Sequence, residues 1–247
     1  MVRQVWARPQ WHSTVDSTNL ALLADPKPGR IVVADHQRAG QGRRGRAWVA
    51  PPGTSLAVSV AVSAPRPALI GWVPLLAGVA VQRALGEHAF PVQAEVKWPN
   101  DVLVSAGAPG RPGKVCGVLA SVHDDAVVVG AGLNIDQSEA ELPVPTATSW
   151  RLARDGSPLP YAVRTSWLQA YLAHLGALLE TLDEDPDAAR AAYTQACSTL
   201  GNDVAIELSA GTVAGRACGI DRDGALILDE GDRRSIHHVG DVVHLHR

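Results

Sequence analysis

The sequence predicts an α+β protein that ends in a small all-β domain, and two observations carry this prediction. Strand-like and helix-like segments alternate as far as residue 200, whereas only short strand-like segments follow Gly201. A mixed run of elements followed by a run of strands alone is typical of two separate domains. We therefore divide the 247-residue chain into a first domain at residues 1–197 and a second domain at residues 198–247.

Apolar periodicity and turn residues predict the elements of the first domain in order. Apolar residues recur at helical spacing over 67–88 and over 160–182, where Pro160 would occupy the first helical position. A third helix is predicted over 186–200, ended by Gly201. Strands are predicted over 29–37, 54–62 and 92–98, and over 114–135 as a hairpin with its tight turn at Asp124 and Asp125.

The second domain is predicted to consist of short strands in close succession. The strand-like runs are NDVAIEL, TVAGRACGID, GALILD and DVVHLHR. The sequence DRDGA between the second and third runs is a hairpin-turn signal. These segments therefore favour a compact β domain.

Composition and charge exclude several classes of protein. The chain is 46% hydrophobic with a net charge of −3, which argues against a surface devoted to nucleic acid. The longest apolar stretch is too short for a membrane span, and the amino terminus lacks a secretory signal pattern. The widely spaced Cys116, Cys197 and Cys218 form no CxxC motif, which favours a reduced, cytoplasmic compartment.

The stretch HQRAGQGRRGRAW, residues 36–48, is here called the arginine loop. Its GQGRRG satisfies the dinucleotide pattern GxGxxG, but prolines and a strand pattern follow where that motif requires a helix. A P-loop is also excluded, because GKV at 113–115 has no Ser or Thr after its lysine. What remains is a glycine-hinged loop whose Arg43, Arg44 and Arg46 suit a carboxylate or phosphate. The alternative is a cationic loop that only faces water.

Four further motifs are weak when each is taken singly. KWPND at 97–101 combines a lysine, an amide and a carboxylate, although Pro-Asn-Asp is also ordinary turn chemistry. GKVCGVLAS places Lys114 at the start of a strand, and GAGLNID ends the next strand with Asn134. DSTNL at 16–20 also fits a helix N-cap at Ser17 or Thr18.

In this order and spacing, the motifs resemble those of the biotin–protein ligases over nearly the whole chain. The resemblance implies a mixed, mostly antiparallel sheet backed by helices, similar to class II aminoacyl-tRNA synthetases, and a C-terminal SH3-like β barrel. The chain starts at the catalytic domain, so the resemblance is to the short class without an N-terminal DNA-binding domain.

The resemblance also implies a two-step reaction. Biotin and Mg-ATP give biotinyl-5′-AMP, and a lysine of a biotin carboxyl carrier domain, from acetyl-CoA carboxylase or a related carboxylase, then takes the biotinyl group. Mg²⁺ is expected to arrive with ATP rather than on direct protein ligands. A cytoplasmic enzyme with no DNA or membrane partner is expected, and a homodimer is allowed.

Site residues follow from the same resemblance. Arginine and lysine side chains would neutralise the carboxylate and the α-phosphate that must meet, and Asp101 would orient or deprotonate the incoming amine. The catalytic candidates are Arg43, Lys97, Asp101 and Lys114. The biotin-binding candidates are Ser17, Thr18, Asn19, Gln37, Gly40, Gln41, Gly42, Arg43, Lys114, Gly117 and Gly132. The ATP-binding candidates are Arg43, Arg44, Arg46, Trp48, Asn100, Lys114 and Asn134.

One departure from the family pattern is Gln41, which stands where an arginine is usual. Losing that charge predicts weaker retention of the adenylate, unless Arg38 or Arg44 compensates. Trp48 and Trp98 suit packing better than stacking on a ligand. Cys116 is interpreted as a small core residue with no base to activate it. Four histidines of the second domain have no pattern of Cys or carboxylates near them, which argues against a metal site, namely His237, His238, His244 and His246.

Three other functions compete with this interpretation. A lipoate–protein ligase or octanoyl transferase shares the fold but lacks the arginine loop. A nucleic-acid-binding module would need a basic face with aromatic residues, which the sequence lacks. An inactive scaffold would be favoured by loss of Lys114 or Asp101, and both are present.

Overall fold

The computed structural model describes residues 4–105, 112–208 and 211–245. Within these ranges no helix is long and apolar enough to cross a membrane. The helices are α1 (Thr18–Leu23), α2 (Trp72–Gly86), α3 (Trp150–Arg154), α4 (Val163–Glu184) and α5 (Pro186–Ala196). The strands are β1 (Gln10–His12), β2 (Ile31–Ala34), β3 (Ser55–Ser63), β4 (Ala94–Lys97), β5 (Asp101–Val104), β6 (Gly113–His123), β7 (Ala126–Asn134), β8 (Asp203–Leu208), β9 (Gly211–Ile220), β10 (Leu226–Asp229), β11 (Arg234–His237) and β12 (Asp241–His244).

The first seven strands form one sheet in the order β1-β2-β3-β7-β6-β5-β4. Only β1 and β2 pair in parallel, and every other neighbouring pair in this sheet is antiparallel. The predicted mixed, mostly antiparallel sheet is therefore confirmed. The predicted hairpin at 114–135 is also correct, since β6 and β7 pair from Cys116 to His123 around a turn at Asp124.

The two faces of this sheet differ in side-chain size because successive residues of a strand point to opposite faces. On β3, the large residues Leu56, Val58 and Val60 belong to the main core, which also contains buried residues of α2 and α4. The intervening Ala57 and Ser59 point to the other face. Helix α1 covers only one part of that face, through a small cluster of Leu22, Val32, Ala61 and Val128.

The last five strands form an antiparallel sheet in the order β11-β10-β9-β8-β12, as the SH3-like prediction requires. The predicted turn at DRDGA connects β9 and β10, and Asp221 accepts hydrogen bonds from Asp223 and Ala225 there. This turn rests on the first domain. The buried indoles of Trp72 and Trp98 donate to the carbonyl oxygens of Arg222 and Gly224, at 2.8 and 3.1 Å.

Two predicted helix ends were wrong. Pro160 is not the first residue of α4, because residues 160–162 form a turn that leads into the helix at Val163. Helix α5 does not reach Gly201. It ends at Ala196, because the chain beyond it becomes extended and pairs with β4, where the Ser198 amide donates to the Val96 carbonyl at 2.8 Å.

The short elements β1, β5, α3 and β11 were not predicted. Each has three to five residues, which is too few for a periodic pattern to show. Their positions are set by hydrogen bonding to neighbouring strands and by helix capping. Strand β5, for example, follows the KWPND turn and lies between β4 and β6.

The two tryptophans Trp98 and Trp167 allow a matched test of the contact between the two sheets. Both are buried, at 2% and 0% exposure, but the Trp167 indole nitrogen has no hydrogen-bond partner among the described residues. Trp98→Phe and Trp167→Phe remove the same volume. Since only Trp98→Phe leaves a buried carbonyl unpaired, it should lower the free energy of unfolding by about 1–2 kcal/mol more. Urea unfolding followed by circular dichroism measures the difference, and equal losses would contradict the assignment.

Candidate functional site

A cavity of about 960 Å³ opens on the small-residue face of the first sheet. Its walls come from the arginine loop, the start of α1, the segment at 143–147 and the second domain. It therefore lies where α1 leaves the sheet uncovered. Every predicted site residue except Gly40 and Arg44 lines this cavity.

The floor of the cavity consists of glycines on β6 and β7. Gly117, Gly130 and Gly132 lie on the same face as Ala57, as the alternation of the strands dictates. A Cβ atom at Gly130 would overlap the Asn19 amide, and one at Gly132 would lie 2.6 Å from the indole ring of Trp48. Side chains are thus excluded from the floor. Both glycines of the GAGLNID motif therefore lie on the floor, together with the predicted Gly117.

One end of the cavity is a network of polar side chains around the start of α1. Ser17 caps the helix, accepting from the Leu20 amide at 3.4 Å, which confirms the predicted N-cap. Gln37 faces Thr18, whose backbone amide and hydroxyl donate to the Gln37 Oε1 atom at 2.8 and 3.1 Å. Because a backbone N–H can only donate, Gln37 must present its oxygen there, and its amide NH₂ is directed elsewhere.

Ser59 of β3 lies beneath this network and was missed from the sequence. Its side chain is fully buried, and its hydroxyl is 2.7 Å from Thr18 Oγ1 and 2.5 Å from Asn19 Oδ1. The Asn19 amide in turn donates to the Leu119 carbonyl at 3.3 Å. The only sequence signal was a serine at an otherwise apolar strand position.

Lys114 reaches the cavity because of a β-bulge. Leu103 pairs with Lys114 while the adjacent Val102 pairs with Cys116, so β6 carries one extra residue at this point. The extra residue shifts the alternation and turns Lys114 to the same face as Asp101. The Lys114 ammonium lies 2.6 Å from the Asp101 carboxylate, and both side chains remain partly exposed, at 30% and 24%.

Lys97 and Asn100 extend this basic region. Burial lowers the pKa of Lys97, while the carboxylate of Asp101 acts in the opposite direction. The Asn100 amide donates to the Val118 carbonyl at 2.8 Å. Its oxygen is thereby left to accept from Arg43, at 3.4 Å, so Asn100 connects the arginine loop to β6.

The tip of the arginine loop is a tight hairpin. The Trp48 amide donates to Gly40 and the Gly42 amide to Arg46, at 2.8 and 2.7 Å. Between them lies a single 3₁₀ turn in which Arg44 adopts a positive φ of 55°. A Cβ atom on Gly40 would lie 2.7 Å from the Trp48 carbonyl oxygen, so glycine is needed there to close the hairpin.

Three arginines of the loop converge on one carboxylate of the second domain. The guanidinium groups of Arg43, Arg44 and Arg46 lie 3.8, 3.5 and 2.9 Å from Asp241. Arg43 also donates to the Gly240 carbonyl and Arg44 to the Glu207 carbonyl. Burial lowers the pKa of Arg43, against the carboxylates of Asp241 and Asp101. Arg44 contacts Glu207 and Asp241 of the second domain but does not itself line the cavity.

Trp48, Trp98 and Asn134 differ in how they meet the cavity. Trp48 is half-buried on the glycine floor, with the Lys114 ammonium 5.6 Å from its ring centroid. Trp98 is buried in the main core. Asn134 lines the cavity, but its NH₂ donates to the Thr148 carbonyl and its oxygen accepts from Gln137, both at 2.9 Å. Asn134 thus fixes the wall at 144–148.

Of the remaining candidate groups, His244 lines the cavity, whereas Cys116 and His237 do not. Burial raises the pKa of the Cys116 thiol to about 12, so Cys116 is protonated at neutral pH. His237 lies 2.7 Å from the Ser235 hydroxyl, and His246 falls outside the described residues. Among the residues that are described, no three His, Cys, Asp or Glu side chains form a cluster that could hold a metal ion.

Comparison with known proteins places these features in context. Residues 9–136 match the biotin/lipoate A/B protein ligase family and residues 199–245 match the biotin protein ligase C-terminal domain. The biotin–[acetyl-CoA-carboxylase] ligase of Mycobacterium tuberculosis is 35% identical over 97% of this chain and 90% of its own length. The bifunctional ligase/repressor BirA of Escherichia coli is 29% identical over 87% of this chain and 67% of its own length.

Solved structures show the same architecture. The biotin protein ligase from Aquifex aeolicus in complex with biotin and ATP is 25% identical. It matches with a TM-score of 0.80 over 98% of this chain and 100% of that one. The predicted fold class and the resemblance stated from the motifs are therefore both confirmed.

The convergence of three arginines on Asp241 can be tested by proteolysis. Asp241→Asn keeps the shape but removes the charge that holds the loop tip. Partly exposed ion pairs contribute up to about 1 kcal/mol each, so trypsin should cleave after Arg43, Arg44 or Arg46 about fivefold faster. Asp183→Asn, on the exposed surface of α4, is the charge-matched control. Equal cleavage rates in both variants and the wild type would show that Asp241 does not hold the loop.

Proposed function

Because this chain belongs to the biotin/lipoate A/B protein ligase family, we propose that it is a biotin–protein ligase. It attaches biotin to one lysine of a biotin carboxyl carrier domain, through biotinyl-5′-AMP and at the expense of ATP. The observation that supports this best is the layout of the cavity. A polar network, a glycine floor and a cluster of cations follow one another, which suits a ligand with a polar head, an apolar middle and an acidic end.

The polar network is the proposed site of the biotin ureido group, which both donates and accepts hydrogen bonds. The Gln37 NH₂ is available as a donor, since the Gln37 oxygen is held by Thr18. Ser17 and Asn19 supply further polar atoms at the same end. The fused rings and the valeryl chain would then lie over Gly117 and Gly132, where side chains are excluded.

The cationic end is the proposed place of adenylation. A biotin carboxylate oxygen attacks the α-phosphorus of ATP and pyrophosphate leaves, so two anions must be brought together. Lys114 and Arg43 can neutralise both, and Arg46 can meet the departing phosphates. Mg²⁺ enters as part of the nucleotide substrate. Holding the reactants in line in a partly enclosed cavity supplies much of the rate enhancement.

Asp101 is the proposed partner of the incoming lysine. While Lys114 is paired with Asp101 at 2.6 Å, neither is free for substrate. When Lys114 turns to the adenylate, the Asp101 carboxylate becomes free to accept a proton or hydrogen bond from the carrier amine. The amine then attacks the biotinyl carbonyl and AMP leaves. Lys97, whose pKa is lowered by burial, would stabilise the phosphate of that leaving group.

Several broader predictions belong to the same proposal. The acceptor is a carboxyl carrier domain of acetyl-CoA carboxylase or a related carboxylase, in keeping with the name of the Mycobacterium tuberculosis relative. Three free cysteines support a cytoplasmic location. Three further points stay predictions: that the second domain begins at residue 198, that the protein has no DNA partner, and that it can form a homodimer.

The adenylation step predicts biotin-dependent exchange between ATP and pyrophosphate in the presence of Mg²⁺. Octanoate and lipoate are the matched controls, because the family includes lipoate ligases and both acids lack a ureido group. Exchange with biotin alone is expected, since the polar network would be left unpaired by the other acids. Exchange with lipoate but not biotin would move the chain to the lipoate branch, and no exchange with any acid would refute the proposal.

Gln41 predicts that this enzyme holds its adenylate loosely. Gln41 lines the cavity without the charge that the family usually has there. Gln41→Arg should slow the release of pulse-labelled biotinyl-AMP about three- to tenfold, as a charged hydrogen bond is stronger than a neutral one. Gln169→Arg, on the exposed side of α4, controls for net charge. An unchanged release rate would remove any role for the charge at position 41.

A further inference from the structure

We propose that Arg164 is a positioning residue that fixes both ends of the arginine loop. This inference rests on the proposed function, in which Arg43 and Arg46 of the loop act on the biotin carboxylate and on the phosphates of ATP. Arg164 is the second residue of α4 and its side chain is 3% exposed. It does not line the cavity, so it would act on the reaction only through the loop.

The guanidinium of Arg164 meets both chain ends of the loop. Its Nη2 atom donates to the carbonyl oxygen of Gly53, and its Nε atom lies 3.7 Å from the carboxylate of Asp35. Asp35 follows the last residue of β2, and Gly53 lies two residues before β3. Every residue of the arginine loop lies between these two points.

Two further contacts close the cluster. The Gly53 amide donates to the Asp35 carbonyl at 3.4 Å, and the Tyr161 hydroxyl donates to the Asp35 carboxylate at 2.7 Å. The Arg164 guanidinium lies 4.5 Å from the centroid of the Tyr161 ring. Asp35, Gly53, Tyr161 and Arg164 thus form one connected cluster, here called the loop base.

The loop base and the loop tip differ in how they are held. At the tip, Arg44 and Arg46 have side chains that are 40% and 61% exposed, so their contacts with Asp241 exchange readily with an incoming anion. At the base, Arg164 is buried, and a buried charge is costly to leave unpaired. The tip can therefore move while the base stays in place.

A fixed base matters because catalytic groups must be placed to within roughly 1 Å. Arg43 and Arg46 each lie at least seven residues from both anchoring points, Asp35 and Gly53. A small rotation at Asp35 or Gly53 would displace both guanidinium groups together. Arg164 would prevent that rotation by binding the two ends to the same helix.

Arg164→Lys tests this directly, because lysine keeps the charge but cannot contact both ends as a planar fork. Arg151→Lys is the matched control, since Arg151 also donates to a backbone carbonyl, that of Gly156 at 2.6 Å, away from the loop. Hydrogen exchange of the Gly42, Arg46 and Trp48 amides reports the loop without relying on activity. These amides should exchange about tenfold faster in Arg164→Lys and as in the wild type in Arg151→Lys.

A kinetic readout separates positioning from general destabilisation. In pyrophosphate exchange, Arg164→Lys should raise the KM for ATP about fivefold while Arg151→Lys leaves it unchanged. Tyr161→Phe removes only the bond to Asp35, from a residue that is 60% exposed, and should show smaller changes in the same direction even if Arg164→Lys does not fold.

The outcomes are distinct from those of the proposed function. The role of Arg164 would be overturned if the loop amides exchanged hydrogen at the wild-type rate in Tyr161→Phe, and also in Arg164→Lys where that variant folds. If the wild type lacks biotin-dependent pyrophosphate exchange, the proposed function fails, whereas the hydrogen-exchange comparison still decides whether Arg164 fixes the loop base.

Discussion

The alternation of large and small side chains along β3 and β7 is the constraint on which the rest of the structure depends. Large residues such as Leu56 and Val58 on one face belong to the main core, to which α2 and α4 also contribute. On the other face Ala57, Gly130 and Gly132 leave the backbone almost bare. A one-residue shift of either strand would exchange the two faces and fill the cavity with core side chains.

Charge balance is the second organising feature of the cavity. Four cations in or beside it already have a carboxylate partner: Lys114 lies against Asp101, and Arg43, Arg44 and Arg46 lie against Asp241. These carboxylates of the protein are thus paired with the same cations that the substrate anions would bind. Self-repulsion among the cations is thereby relieved without substrate, and the energy of each ion pair is exchanged rather than created when an anion binds.

Which residues belong to the site could be predicted from the sequence, but how the fold brings them together could not. Motif residues such as Gln37, Lys114 and Asp101 could be named because they lie in short, distinctive segments, and the long strands and helices follow from periodicity. The bulge that turns Lys114 into the cavity, and the meeting of Arg46 with Asp241 across the two domains, depend on pairing between distant segments. Ser59 was missed because serines recur along β3, and nothing in the sequence distinguishes the one that contacts Thr18 and Asn19.

The bonds from Trp72 and Trp98 to the β9–β10 turn, together with Asp241, have a consequence for the order of assembly. The cavity has one wall that is synthesised last. A chain still emerging from the ribosome would carry its full set of motifs yet expose uncompensated arginines and unpaired indole N–H groups. Until Asp241 has been synthesised, the cavity lacks this wall and the loop arginines lack the carboxylate that they share.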